Sequence, residues 1–275
     1  MLIPDIQIKN LTIGYSENPV VEDLNAAIYS GELTCLLGAN GVGKSTLLRT
    51  LSGFQPKLSG EISLFGKSLE SYSSKQLSQI IGIVLTEKVD IRDMTVRDLI
   101  SLGRNPYTGF WGRLNDTDER AVNEAIAYLK IENLSHRSIH TLSDGERQKA
   151  MIAKALAQET SIIYLDEPTA FLDFPSKVEI MRFLHYLAVQ SGKTIFLSTH
   201  DLELALQIAD KLWLMDKQKG LIVGTPDELR ENGVLENFFH CEGAYFDKEV
   251  GLFRIEREVS PLRGLSTSLD MTADI

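Results

Sequence analysis

Cysteine is nearly absent from this 275-residue chain: Cys35 and Cys241 are the only two. That is too few for a disulfide framework, and a reducing compartment fits better. Cys35 falls in an apolar stretch, where a small buried thiol is expected. Long hydrophobic runs are also missing. The longest, IIGIVL at 80–85, falls far short of the roughly 20 residues a membrane-spanning helix needs. The opening, MLIPDIQIKN, lacks the basic start and apolar run of a secretory leader. Basic clusters are absent and the net charge is −10, so nucleic acid, which rewards clustered Lys and Arg, is not an expected partner. What is present is a globular composition, 43% hydrophobic and 24% charged. It suffices for one large domain or a core with a smaller lobe.

The texture along the chain is mixed. DIQIKNLTIGY and LNAAIYSGELTCLLG alternate or cluster apolar residues as strands do, and GEISLFGKSL at 60–69 reads as a short strand and a turn. From Asp93 to about Ala157 the pattern becomes helical. There NDTDERAVNEAIAYLKI places Ala121, Val122, Ala125, Ile126 and Leu129 on one face, with Asp116 and Glu119 as the expected cap. SIIYLDEP (161–168) and KTIFLSTHD (193–201) are continuous apolar strands, as a parallel sheet covered on both faces requires. Between them SKVEIMRFLHYLAVQSG reads as a crossover helix ending at Gly192. The pattern predicts an α/β fold: a mostly parallel sheet with N-terminal antiparallel strands and an inserted helical subdomain. The expected division is an α/β core at 1–87 and 159–230, helices at 88–158, and a C-terminal extension at 231–275. Its last stretch, SPLRGLSTSLDMTADI, is polar and aperiodic, and it is expected to be poorly ordered.

GANGVGKST (38–46) follows the strand LTCLL and precedes the helix TLLRTLSG. It satisfies G-x-x-x-x-G-K-[ST] in the strand–loop–helix setting that this phosphate cradle requires. Gly38, Ala39, Asn40, Gly41, Val42 and Gly43 form the loop whose backbone N–H groups would wrap a β-phosphate. Lys44 reaches the β/γ oxygens, and Ser45, followed by Thr46, supplies a hydroxyl for Mg²⁺. A Gly-rich turn with an exposed lysine is the plainer alternative. Asp166 and Glu167 stand where an apolar strand ends, the edge at which an α/β sheet presents its ligands. There Asp166 would hold Mg²⁺ through water and Glu167 would orient or deprotonate the attacking water. The two could instead cap the following helix. His200 ends the next strand, placed to touch a γ-phosphate, or else serves helix entry beside Asp201, which reads as the cap. Asn is never followed by Lys, so the N-K-x-D guanine motif of a GTPase switch is lacking.

TLSDGERQ (141–148) reads as a second anion-seeking helix start. Ser143 and Glu146 have the spacing of a capping box, and Gly145 leaves the backbone bare. A helix cap and nothing more is the alternative.

Together these segments resemble an ABC-type ATPase over roughly residues 5–230, with TLSDGERQ similar to the family's signature loop and Asp144 where Gly is commoner. The resemblance implies two subunits paired head to tail, each signature loop closing on the ATP held by the other. On that pattern Ser143 and Gly145 would contact a partner's γ-phosphate, and Asp173 in TAFLD would cross the interface. Phe171 stands there in place of a smaller residue. Tyr15 matches the aromatic that stacks on adenine, with a core tyrosine as the alternative. The family's glutamine near 81–85 falls on Thr86, a third candidate Mg²⁺ contact beside Ser45 and Asp166, or on the neighbouring Glu87. MTVRDLISLGRNPYTGFWGRL (94–114) is similar to the ATPase subunits of iron–siderophore, haem and cobalamin importers. By itself it says helix, proline break and aromatic loop, with Phe110 and Trp111 exposed for a partner or packing the lobe. The implied protein is a peripheral ATPase at the cytoplasmic face of a bacterial inner membrane. It would use ATP and Mg²⁺ and work as a homodimer with permease subunits and, indirectly, a substrate-binding protein. An ATPase for another cargo or for export is the alternative. A non-transport ABC protein fits less well, because the chain has neither two ATPase units nor long coiled coils.

Overall fold

In the computed structural model the described residues are 3–85, 94–109, 111–240, 243–247 and 252–255. They fall into two units, 1–227 and 228–275.

The first unit holds two sheets. Strand β1 (Ile6–Tyr15) pairs antiparallel with β2 (Asn18–Ile28) on one side and β4 (Ser59–Leu64) on the other, and β5 (Lys67–Ser68) extends β4. The second sheet contains β3 (Leu33–Leu37), β6 (Ile81–Val84), β7 (Ile162–Asp166), β8 (Thr194–Ser198), β9 (Lys211–Asp216) and β10 (Gly220–Gly224), in the order β10-β9-β3-β8-β7-β6. All its pairings are parallel except β9 with β10. Every residue of β3, β7 and β8 is buried, which is why these strands read as mostly apolar runs. Parallel pairing brings the C-terminal ends of β3, β7 and β8 to one edge. That edge carries Gly38, Asp166 and Ser198.

Helices α1 (Lys44–Leu51), α2 (Ser74–Ile80), α3 (Val96–Ser101), α4 (Asp116–Tyr128), α5 (Asp144–Ala157), α6 (Phe174–Ser191) and α7 (Leu202–Ile208) complete the unit's main frame. The five apolar residues read as one face of α4 and its end are all buried. Its cap differs from the expectation. Asn115 caps the helix, accepting from the N–H groups of Thr117 and Asp118, while Asp118 returns a bond to the Asn115 N–H. Asn fits this place because its short side chain reaches back to the backbone and tolerates the extended conformation required there. Helix α6 likewise starts two residues before the expected boundary, because Asp173 caps it through the Ser176 N–H at 3.1 Å. It ends at Gly192 in the left-handed conformation, φ 61°, as its sequence indicates.

Between the sheets Tyr164, Phe196 and Trp213 form an aromatic stack, with centroid separations of 6.0 and 4.8 Å. In the helical stretch, Arg104 of the LGRNPY segment is 3% exposed. It donates to Asp118 at 2.8 Å, to the Ala157 carbonyl at 2.7 Å and to Glu159 at 2.6 Å. The Tyr107 ring lies 4.2 Å from its guanidinium.

Helix α8 (Pro226–Glu231) runs across the boundary between the units. The second unit then contributes α9 (Val234–Phe238) and an antiparallel pair of strands, β11 (Ala244–Asp247) and β12 (Leu252–Ile255). Phe239 and Phe246 both contact Phe253 edge-on or tilted. The 256–275 tail, Thr86, Glu87, Phe110 and Cys241 lie outside the described residues. Among the described residues, no helix is long and apolar enough to cross a membrane.

Candidate functional site: a nucleotide cleft

Leu37 ends β3 and the chain turns through 38–43 before α1 begins. The conformations of this loop demand glycine. Gly41 has φ 72° and open space around its Cα, whereas Gly43 has φ 118° with Val20 and Met215 pressed against it. A Cβ on Gly43 would come 2.8 Å from the Val20 Cγ1, so this glycine is fixed by packing as well as by φ. Because Gly43 is also the N-cap, no side chain caps α1. Its first N–H groups and positive dipole end therefore face the loop, which suits an anion.

Tyr15, Val20, Asn40, Gly41, Gly43, Lys44, Ser45, Thr46 and Glu167 line a single cleft of about 330 Å³. Lys44 is buried and donates to the carbonyls of Gly38 and Ala39 at 2.9 and 3.2 Å. Burial pulls its ammonium below the usual lysine range, against the opposing fields of Glu167 and Asp166. Ser45 is exposed where it lines the cleft. Tyr15 is not a core residue. It is half exposed, and its hydroxyl shares a 3.0 Å hydrogen bond with the Thr46 hydroxyl.

Asp166 and Glu167 do not cap the next helix, since Asp173 does. Instead they are locked to β8. The Ser198 hydroxyl donates to Asp166 Oδ1 at 2.6 Å, and the Glu167 N–H reaches Ser198 Oγ at 2.9 Å. Glu167 takes φ 48°, left-handed backbone that a residue with a Cβ adopts at a cost of order 1–3 kcal/mol. The bonds at its N–H, together with the one its carbonyl accepts from Ala170, hold it there. Its carboxylate pairs with His200 Nε2. Asp201, not His200, caps α7, through the Leu204 N–H at 3.3 Å. Ser198 escaped sequence reasoning because a serine within FLST carries no chemical signal of its own.

The residues of the other anion-seeking loop lie elsewhere. Ser143, Gly145 and Asp173 are not among the described residues lining the cleft, and neither are Asp166 and His200, which are linked to it through their bonds to Ser198 and Glu167. Ser143 and Glu146 do form the capping box at the start of α5, with Ser143 exposed. The backbone N–H of Ser143, with its hydroxyl and the Arg137 guanidinium, holds the Glu146 carboxyl below its usual range against the opposing effect of burial.

The profile of the ABC transporter family matches residues 21–170, more than half of the chain. The chain belongs to the ABC transporter family. Curated relatives cover nearly all of it. An uncharacterized ABC transporter ATP-binding protein of Methanocaldococcus jannaschii is 38% identical over 91% of this chain and 87% of its own length. The ferric enterobactin transport ATP-binding protein of Escherichia coli K12 is 36% identical over 88% of this chain and 89% of its own. A solved structure of a metal-chelate type ABC transporter in an inward-facing conformation superposes with a TM-score of 0.75. It is 29% identical and covers 91% of this chain and 95% of that one. This ABC protein is therefore an ATP-binding ATPase with the P-loop α/β fold.

Proposed function

We propose that this ABC ATPase powers import of an iron-containing chelate, working as a head-to-tail homodimer on the cytoplasmic face of a membrane permease fed by a substrate-binding protein. The reading is carried by the likeness, over nearly nine-tenths of both chains, to a ferric enterobactin transport ATP-binding protein. The metal-chelate type neighbour supports the same cargo class.

In the cleft, Lys44 and the loop N–H groups at Gly41–Lys44 would bind the β- and γ-phosphates, with Tyr15 against the base. The Ser45 hydroxyl and the Asp166 carboxylate are an all-oxygen donor pair of the kind Mg²⁺ takes alongside phosphate oxygens and water. Bound there, the ion would neutralise charge developing on the phosphates. Glu167 would orient or deprotonate the attacking water, and His200, held by Glu167, would stand at the γ-phosphate. Ser143, Gly145 and Asp173 would act on the partner's nucleotide, and Thr86 would add a Mg²⁺ contact while Glu87 faces the permease.

Cargo is tested by uptake. Cells lacking this chain should fail to accumulate ⁵⁵Fe presented as a ferric siderophore, and the wild-type gene should restore it where a Lys44→Ala gene does not. Loss of haem or cobalamin uptake with normal siderophore uptake would reassign the cargo. Normal uptake of all three would overturn the import reading.

A further inference from the structure

The pairing of Glu167 with His200 joins the loops that follow β7 and β8. His200 is 42% exposed at its side chain, so apart from its bond to Glu167 its aim depends on its backbone. That backbone turns on Asp201. The Leu202 N–H bonds back to the His200 carbonyl at 3.2 Å, and Asp201 has φ −88° and ψ 85°, an inverse γ-turn. Three bonds fix the turn. The Asp201 N–H donates to Thr199 Oγ1 at 3.0 Å, Asp201 Oδ1 accepts from Leu204, and Asp201 Oδ2 accepts from Lys177 Nζ at 3.1 Å. The first two are local. The third comes from a different helix.

Lys177 lies in the first turn of α6, its N–H bonded to the Asp173 carbonyl at 3.0 Å. It follows directly the loop that begins at Glu167 and contains a second left-handed residue, Phe171, at φ 62°. The chain from Glu167 through Asp173 to Lys177, the ion pair to Asp201, the turn to His200 and its bond to Glu167 therefore form a closed ring. The start of α5 meets α6 close by. The Cβ position of Gly145 points at Ser176 and Leu172, and Lys149 pairs with Glu179 at 2.8 Å. Asp173, Gly145 and Lys177 thus converge on the first turn of one helix.

We propose that Lys177 is a positioning residue for hydrolysis: its ion pair with Asp201 closes this ring and holds His200 and Glu167 in their working arrangement. The inference rests on the assignment of Glu167 and His200 to hydrolysis. Both members of the pair are partly exposed, and such pairs add little to stability. A small shift of a catalytic group costs far more in rate than in folding.

The test is steady-state ATPase kinetics with a double-mutant cycle. Lys177→Met should lower kcat about tenfold, as a modest misplacement of reacting groups does, with KM for ATP unchanged. Lys177→Arg should restore most of it. Asp201→Asn, which keeps a helix-capping side chain, should lower kcat to the same degree. The two together should be no worse than either alone, because each removes the same interaction. A wild-type kcat for Lys177→Met, a loss expressed in KM alone, or losses that multiply in the double variant would each overturn the proposal. Glu167→Gln measured alongside separates the two assignments. If it stays active the role of Glu167 fails, whereas an inactive Glu167→Gln with an unaffected Lys177→Met removes only the role of Lys177.

Discussion

Glu167→Gln should abolish turnover while leaving ATP bound. The substitution keeps the size of the side chain and its hydrogen bond to His200, but an amide accepts no proton from water. Loss of a positioned general base costs about 10²–10⁴-fold in rate. The backbone should tolerate the change. The left-handed conformation of residue 167 is held by main-chain bonds to Ser198 and Ala170, and the carboxylate takes no part in them. The Lys44 ammonium and the loop N–H groups are untouched, so ATP affinity should stay within about twofold of wild type, as expected when only transition-state interactions are removed. With hydrolysis blocked, the ATP-bound dimer should accumulate and run as such in size-exclusion chromatography with ATP. Unchanged steady-state hydrolysis would contradict the role given to Glu167.

Arg104→Ala should produce a large loss of stability outside the cleft. Asp118 is 1% exposed, and its charge is matched by Arg104 and by the Asn115 N–H. Burial alone would raise its carboxyl, yet the Asn115 N–H and Arg104 together hold it below the usual range. Removing the arginine strands a buried carboxylate and leaves the Ala157 carbonyl without its donor. Breaking a buried pair in this way costs about 3–5 kcal/mol. The sign with pH follows. Asp118 contributes stability above its unfolded pKa and loses it as pH falls through the lower folded value. In the variant, protonation relieves the stranded charge. Urea titrations should therefore show the wild type and Arg104→Ala far apart at neutral pH and converging in acid. A gap that is small at neutral pH, or that widens in acid, would contradict this account of the LGRNPY segment.

That segment shows where sequence reading stops. Its motif is visible, but the partners of Arg104 lie 14, 53 and 55 residues further along the chain, and no local pattern points to them. The same holds for Ser198, which reaches Asp166 from the neighbouring strand 32 residues away. By contrast, β3, β7 and β8 are legible because burial on both faces keeps them mostly apolar, with few polar residues to blur the run. The box at Ser143 and Glu146, the cap at Asp201 and the stop at Gly192 are legible because each is settled within a few residues of backbone. Local signals misplace boundaries where two capping residues sit side by side. Asn115 and Asp116 compete at the start of α4, and the geometry rather than the composition selects Asn115. The left-handed backbone at Glu167 and Phe171 has no sequence sign, since neither residue favours it.

The arrangement in space bears most on the second anion-seeking loop. Ser143 and Gly145 do not line the cleft of their own chain among the described residues, but neither do Asp166 and His200, so the lining alone does not decide whose nucleotide they serve. Mixing two inactive variants measures this directly. Lys44→Ala removes the cradle's lysine, and Ser143→Arg blocks the loop proposed to close on the partner's ATP. Each homodimer then has two damaged sites. A heterodimer collects both lesions in one site and leaves the other whole. Random pairing of equal amounts makes half the dimers mixed, so about a quarter of wild-type ATPase should return on mixing. Mixtures as inactive as their separate components, in samples where heterodimers are demonstrated by differential tagging, would contradict composite sites that work independently.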